Sequence, residues 1–470
     1  MDEHKPDVKW VQVADNRWRR VTRRDLIKFT IAGAAAASLA PFANVQVLLA
    51  QQRRLTILHW AHFVPGYDKW FDTEYTKEWG RANNVEVVVD HIPFGQIPAR
   101  AAAEVAARSG HDLYQHISPP SVFEPETEDL TDTVDPLVKK YGIIELARRS
   151  SYNPKTKKWF GLSNSWVPDP AHYRKDLWDQ VGFVPDSWDN VIQAGRKLKA
   201  MGVPIGLGIS NDIDANMMHR DIMWSFGATT QNQSNEVTIN SKNTIEVLKF
   251  MKALFKETMD PEVLAWDASS NNRAMLAGKV SYVYNAISIA RVAEKDFQQL
   301  SPNIQIYKPP RGPQMLGGKR LGAQHVMLVY TIWKFLPDDR KKLAKQFLTD
   351  LINNWGRAFK AAELYEFASF TNTVPNAQLK EACFNDPVAA KQENNPGKYK
   401  ELYYSFGWST NVGHPGYANA AESETFDTFI IPQMFALVAT DKMTPEAAAK
   451  WAEDQMKPIW AKWKQRGLMA

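Results

Sequence analysis

Five of the ten histidines, His59, His62, His91, His111 and His116, fall within one short span of the chain. Imidazole is the side chain most often recruited for proton transfer or for a metal. The spacing favours neither use. No HExxH motif or paired His/Cys spacing is present, and Asp112 is the carboxylate expected to accompany the histidines, whereas a zinc site needs three or four convergent ligands. The expectation is no metal and no cofactor, with one or two of these histidines donating to a solute. GxSxG is also absent, so no nucleophile elbow is assigned. The run Gly312-Pro313-Gln314-Met315-Leu316-Gly317-Gly318-Lys319 has its Lys displaced by one from a phosphate loop and no Ser or Thr after it, so it reads as a turn between strands. Cys383 is the single cysteine and excludes an internal disulfide or a cysteine metal cluster.

Amides, acids and flat rings offer a different chemistry. Asn211, Asp212 and Asn216 open a helix and can donate or accept at fixed angles, as sugar hydroxyls require. Short Asn and Asp side chains also cap helices, and both readings stand. The 17 Trp, 15 Tyr and 22 Phe supply either core or platforms for a ligand. Trp224 lies beside Phe226 on a helix, which also suits a core position, and Trp266 precedes a short helix.

These side chains need elements to hold them. Strands at 55–60, 85–90 and 113–117 alternate with helices at 67–81 and 98–108, the start of a parallel α/β layer. Ligands of such sheets collect beyond the carboxyl ends of strands, which singles out Trp60, His62 and Phe63 after the first strand and Gln115 and His116 at the third. Asn164-Ser165-Trp166-Val167-Pro168-Asp169-Pro170 is a stiff connector whose prolines forbid a helix. Next come a helix closed by Gly182 and another capped by Ser187, in which Val191, Ala194 and Leu198 recur at helical spacing. A short strand is expected at 204–209, helices at 244–255 and 271–277, a strand at 324–331 and a helix at 338–353. A loop over 407–417 carries Trp408, His414 and Tyr417, and Thr444-Pro445-Glu446-Ala447 starts a terminal helix.

The order Trp159-Phe160-Gly161-Leu162, Tyr173-Arg174-Lys175-Asp176-Leu177, Gly182, Pro185, Trp188 and Lys197-Leu198-Lys199 resembles the central signature of extracellular solute-binding proteins of carbohydrate ABC transporters, the maltose-binding-protein-like group. Asn271-Asn272-Arg273-Ala274-Met275-Leu276-Ala277-Gly278-Lys279 resembles that family's helix-Gly-Lys segment. The resemblance runs from about residue 54 to the C-terminus. It implies an α/β, two-lobed periplasmic binding protein-like fold of type II with a ligand cleft between the lobes. The N-terminal lobe would take 51–163 and 286–329 and the C-terminal lobe 167–284 and 332–470, with three hinge crossings near 163–166, 284–288 and 330–333.

The implied protein is a monomeric receptor that hands a mono- or oligosaccharide to the permease of an ABC importer and performs no chemistry. Asn164 and Trp166 would meet the ligand at the hinge, and Asn285, Ser288 and Tyr417 from the later segments. Where the family commonly has Gly-x-Trp, this chain reads Tyr284-Asn285-Ala286. Another aromatic, Trp224, Trp266 or Tyr284, therefore stacks on the solute, or the solute is small and held mainly by hydrogen bonds. A non-sugar solute on the same fold and an exported carbohydrate-acting enzyme, which would need two convergent carboxylates, are the alternatives.

Composition fits a globular protein of two or three domains: 470 residues, 44% hydrophobic and 23% charged. Of the net charge of +5, residues 1–50 supply +3 from eight Lys/Arg against five Asp/Glu, leaving +2 for the rest. That distribution argues against a nucleic-acid partner. Thr22-Arg23-Arg24-Asp25-Leu26-Ile27-Lys28 resembles the twin-arginine export signal, and an Ala-rich run follows it. That run is shorter than the ~20 apolar residues that span a bilayer. No cysteine follows it, so the expectation is cleavage within 40–50 and a periplasmic protein without a lipid anchor. Replacing both Arg23 and Arg24 by Lys should abolish export, because the guanidinium pair is what the export machinery reads. Cell fractionation checks it, and undiminished periplasmic protein would refute the signal.

Overall fold

The computed structural model describes Val8–Gln12, Trp18–Thr22 and residues 53–469. Val8–Gln12 and Trp18–Thr22 pair antiparallel, with Val8 opposite Thr22. The Arg23-Arg24 pair, the Ala-rich run and the expected cleavage region lie outside the described residues.

The rest of the chain builds a larger and a smaller sheet, each with its own core, besides a two-stranded ladder of Tyr152–Asn153 with Lys158–Trp159. The larger sheet runs in the order Phe367–Ala368, Leu162–Pro168, Gly322–Thr331, Leu113–His116, Arg53–Trp60, Val85–Ile92, and Ser409–Thr410 also pairs with Gly322–Thr331. Arg53–Trp60 and Leu113–His116 are parallel, whereas Gly322–Thr331 is antiparallel to both of its long neighbours. The smaller sheet places Ala171–Arg174 between Tyr282–Tyr284 and Ile304–Tyr307. The 204–209 segment contributes one bridge, Ile205 to Tyr282, in place of the expected strand. Gly206 and Gly208 within it lack the side chains a strand would pack.

Local signals set the helix ends. Ser187 Oγ accepts the Asn190 N–H at 3.2 Å to cap Trp188–Ala200, and Gly182 closes Lys175–Val181 at φ 77°. Asp212 caps Ile213–Ser225, and Thr444 caps the terminal helix Pro445–Gln465. Pro168-Asp169-Pro170 ends Leu162–Pro168 and hands the chain to Ala171–Arg174, which makes the first passage between the sheets.

Strand pairing puts the other two passages away from 284–288 and 330–333. After Tyr284 the chain stays with the smaller sheet, because Ile304–Tyr307 pairs with Ala171–Arg174. It returns through 308–321, where Pro309, Gly312, Pro313, Gly317 and Gly318 break any ladder. After Thr331 it does not leave the larger core, since Leu343, Phe347, Leu351 and Trp355 pack there. The last passage follows Ser409–Thr410, and Ala420 and Ala421 already belong to the smaller core.

Trp166 is fully buried on Leu162–Pro168, with its ring 5.8 Å from Phe367 and 5.3 Å from Phe406. Trp166→Ala should therefore cost stability, by about 3–5 kcal/mol as expected for removal of a buried aromatic. Denaturant unfolding measures this, and an unchanged midpoint would show that the site collapses without loss.

Candidate functional site

The two cores meet along a seam. Ile213, Ala286, Ile287 and Ala290, all from segments attached to the smaller sheet, are buried against the larger core, and Ala268 packs on it. Polar groups converge just inside this apolar contact.

Asp169, between the two prolines of the first passage, is 1% exposed. His325 stands on Gly322–Thr331 where the register with Leu162–Pro168 jumps from Gln324 to Val326, so it occupies a bulge and escapes the strand's alternation. Its Nδ1 lies 3.2 Å from Asp169 Oδ1 and its Nε2 3.6 Å from Asp214 Oδ1. Burial works against a charged ring, but the Asp169 and Asp214 carboxylates outweigh it and hold His325 up to about 9. Asp214 is pushed up to about 7 by burial, against the pull of His325. Asp221, two turns further along the same face of Ile213–Ser225, is pushed far above the carboxylate range by burial and by the Asp169 charge. His172 is driven down to about 3 by burial and stays neutral.

Asn285 joins this cluster to the cleft wall. Its Nδ2 has three acceptors within reach, Asp214 Oδ2 at 3.1 Å, Asn271 Oδ1 at 2.8 Å and Asn272 Oδ1 at 2.8 Å. An amide nitrogen carries two hydrogens, and further donors share the load: Asn271 Nδ2 reaches Asp214 Oδ2 at 3.3 Å and the Asn272 N–H donates to Asn271 Oδ1 at 2.7 Å. Asp214 Oδ1 has no hydrogen-bond donor at all. Asn272 Nδ2 donates to Ser288 Oγ at 3.0 Å. Trp266 closes the wall. A Cβ on Gly206 would come within 2.7 Å of the Trp266 ring, so only glycine lets the indole lie there. Asp212, Asp214, Trp266, Asn271 and Tyr284 line a space of about 10 Å³.

Across the seam, Trp60 is buried among His62 at 4.6 Å, Phe63 at 5.4 Å, Phe94 at 5.5 Å and Tyr365 at 6.1 Å. His62 Nδ1 accepts the Val64 N–H at 2.8 Å, which leaves Nε2–H to donate to Glu366 Oε1 at 3.0 Å. Burial pushes the Tyr365 hydroxyl far up, and the nearby Asp214, Glu366 and Asp169 charges add to it.

A family model of bacterial extracellular solute-binding proteins matches residues 65–354. The chain belongs to that family. Three solved structures have the same two-lobed fold as this solute-binding protein. The maltose-bound MalE3 of T. maritima is 19% identical with a TM-score of 0.68, covering 86% of this chain and 99% of its own. A sugar transporter of Arthrobacter chlorophenolicus A6 with bound laminaribiose is 14% identical at 0.70, covering 86% and 99%. An ABC transporter solute-binding protein of Agrobacterium radiobacter K84 in complex with ribitol is 16% identical at 0.67, covering 87% and 98%. No curated protein matches the sequence. Among the described residues, no helix of this solute-binding protein is long and apolar enough to cross a membrane.

Of the residues singled out by sequence, Asp212, Trp266, Asn285 and Ser288 come together on one wall, and Trp60, His62 and Phe63 on the other. The rest lie elsewhere. Asn211 is exposed, and Asn216 donates to the Phe426 carbonyl at 2.9 Å. His116 Nε2 contacts Thr331 Oγ1 at 3.0 Å, and both polar atoms of the Gln115 amide are buried without partners. Asn164 Nδ2 donates to Ser165 Oγ at 2.9 Å, while Trp166 lines a separate cavity of about 390 Å³ with Phe406, Arg149 and Thr410. Trp224 is buried in the larger core 5.9 Å from His414, and Tyr417 lies 6.5 Å from Tyr152. Asp112, the expected companion of the histidines, instead ion-pairs with Arg340 and accepts from Thr56.

Sequence reasoning missed Asp169, Asp214, Asp221, His325, Tyr365 and Glu366. Asp169 between two prolines was the one available sign, a charge at a rigid crossing. The titrations have one direction. A group whose closed-state pKa is raised, whether acid or base, favours closure at low pH and loses that contribution as pH rises: Asp214 between about 4 and 7, His325 between about 6.5 and 9. Raising the pH from 5.5 to 8.5 should thus open the ligand-free protein and increase its radius of gyration by small-angle scattering. An unchanged radius would mean that these groups do not control the seam.

Proposed function

We propose that this protein is the periplasmic receptor of an ABC importer, binding a mono- or oligosaccharide between its lobes and delivering it to a membrane permease. It is a monomer, exported by the twin-arginine route without a lipid anchor, and performs no chemistry on its solute. Its lobes exchange chain at 168–170, 308–321 and 411–419. What carries the reading is a buried acceptor set among amides at the cleft wall. Asp214 Oδ1 makes no hydrogen bond, its nearest N–H being the His325 ring at 3.6 Å, and Asn271, Asn272 and Asn285 gather their amides beside it. A solute rich in O–H donors satisfies such a site, and the Trp266 face suits the C–H face of a sugar ring. The ligands named for the similar structures, maltose, laminaribiose and ribitol, are donor-rich in this way.

Mass spectrometry of solute released from natively purified protein identifies the ligand, and calorimetry with that compound tests the site. Asn285→Ala should weaken binding about tenfold or more, ~1.4 kcal/mol, and lower the melting temperature while the protein stays folded at the assay temperature, because the buried oxygens of Asp214, Asn271 and Asn272 lose a donor. Wild-type affinity in a folded Asn285→Ala protein would remove the amide cluster from the site, and turnover of the solute would overturn the receptor reading.

A further inference from the structure

Beyond solute binding, we propose that the larger sheet carries a Zn²⁺-type site built by the Nδ1 atoms of His59 and His91, the Asp68 carboxylate and the Trp60 carbonyl oxygen. The site shares no residue with the Asp214–Asn285 cluster. His59 and His91 stand on the adjacent strands Arg53–Trp60 and Val85–Ile92, with their rings edge-on at 5.5 Å, and Asp68 reaches over them from the helix Pro65–Trp70.

The two Nδ1 atoms, the Trp60 carbonyl oxygen and the two Asp68 oxygens are spaced for a small ion that takes one or both carboxylate oxygens. His59 Nδ1 is 3.1 Å from the Trp60 carbonyl oxygen and 4.0 Å from Asp68 Oδ1. His91 Nδ1 is 3.3 Å from the same carbonyl and 3.7 Å from Asp68 Oδ2. Bonds of ~2.0–2.1 Å to a tetrahedral Zn²⁺ require edges of about 3.3 Å between ligand atoms. The observed edges bracket that value, so small side-chain shifts seat the ion.

The surroundings fix each ligand as an outer shell would. Asp72 Oδ2 accepts from His91 Nε2 at 2.9 Å and orients the ring; in the ion-free protein the His59 and His91 Nδ1–H groups donate to the Trp60 carbonyl, and an ion would replace those protons. The His62 N–H donates to Asp68 Oδ2 at 2.9 Å, while Asp68 Oδ1 is buried with no hydrogen-bond partner. Tyr67 and Phe71 stack on the His59 ring and hold it in place. His91 and Asp68 each keep 22% of their side chains exposed, so an ion enters from the surface without parting the lobes.

The untagged full-length protein, stripped with a chelator, is titrated with Zn²⁺ by calorimetry and with Co²⁺ by absorption. One Zn²⁺ per chain and the visible d–d bands of four-coordinate Co²⁺ are expected. Asp72→Asn should loosen Zn²⁺ about 10–100-fold, as loss of a second-shell carboxylate does, and His91→Gln should abolish binding. Melting curves in chelator separate these effects from misfolding. The Co²⁺ spectrum needs no variant: absence of the bands, no saturable Zn²⁺ uptake at micromolar concentration, or wild-type affinity in His91→Gln would each overturn the site.

Discussion

The contact on which the arrangement turns is one imidazolium held between two carboxylates out of water. His325 sits between Asp169 and Asp214, each at most 8% exposed, and Asp221 adds a third acid beside them. Removing such charges from water costs several kcal/mol per ion, and mutual attraction recovers it only with good geometry. That geometry exists only when Gly322–Thr331 and the helix Ile213–Ser225 are in register.

Two backbone devices hold it. Pro168 and Pro170 fix the chain on either side of Asp169, and the bulge between Gln324 and Val326 turns His325 to meet it. Both strands are otherwise buried along their whole length, so a one-residue slip would carry polar groups into the apolar core. Ser163 and Ser165 within Leu162–Pro168 are already satisfied by Ser369 and Glu366, which locks the register further.

What was legible in the sequence follows from the range of the interactions involved. Ser187, Gly182, Asp212 and Thr444 act on backbone groups a few residues away, so their helix ends were readable. The first passage, expected near 163–166, falls a few residues later at Pro168-Asp169-Pro170, where prolines restrict their own neighbours. The later passages were not readable, because Ile304–Tyr307 is committed to the smaller sheet by pairing with Ala171–Arg174, about 130 residues earlier. His325 was illegible for a sharper reason. An alternating pattern assigns faces only in a regular strand, and the bulge breaks the alternation at that residue. Asn285 and Trp266 were singled out because the family resemblance places the segments that carry them at the cleft, whereas Asp214 and Tyr365 looked like ordinary helix and loop residues until folding brought them together.

The closed seam constrains how a solute can be selected. A space of about 10 Å³ holds at most one water, so a sugar ring enters only after Ile213, Ala268 and Ala286 leave the larger core. Apolar contact is therefore lost before any polar contact is gained, and the solute must offset that loss through groups the empty protein leaves unsatisfied. Asp214 Oδ1, which makes no hydrogen bond, is such a group. A ligand without donors would part the seam and leave that oxygen buried and unfilled, at a cost of about 1–3 kcal/mol. On the proposed reading, selectivity for hydroxyl-rich compounds comes from the cost imposed on the wrong solute as much as from the bonds made to the right one.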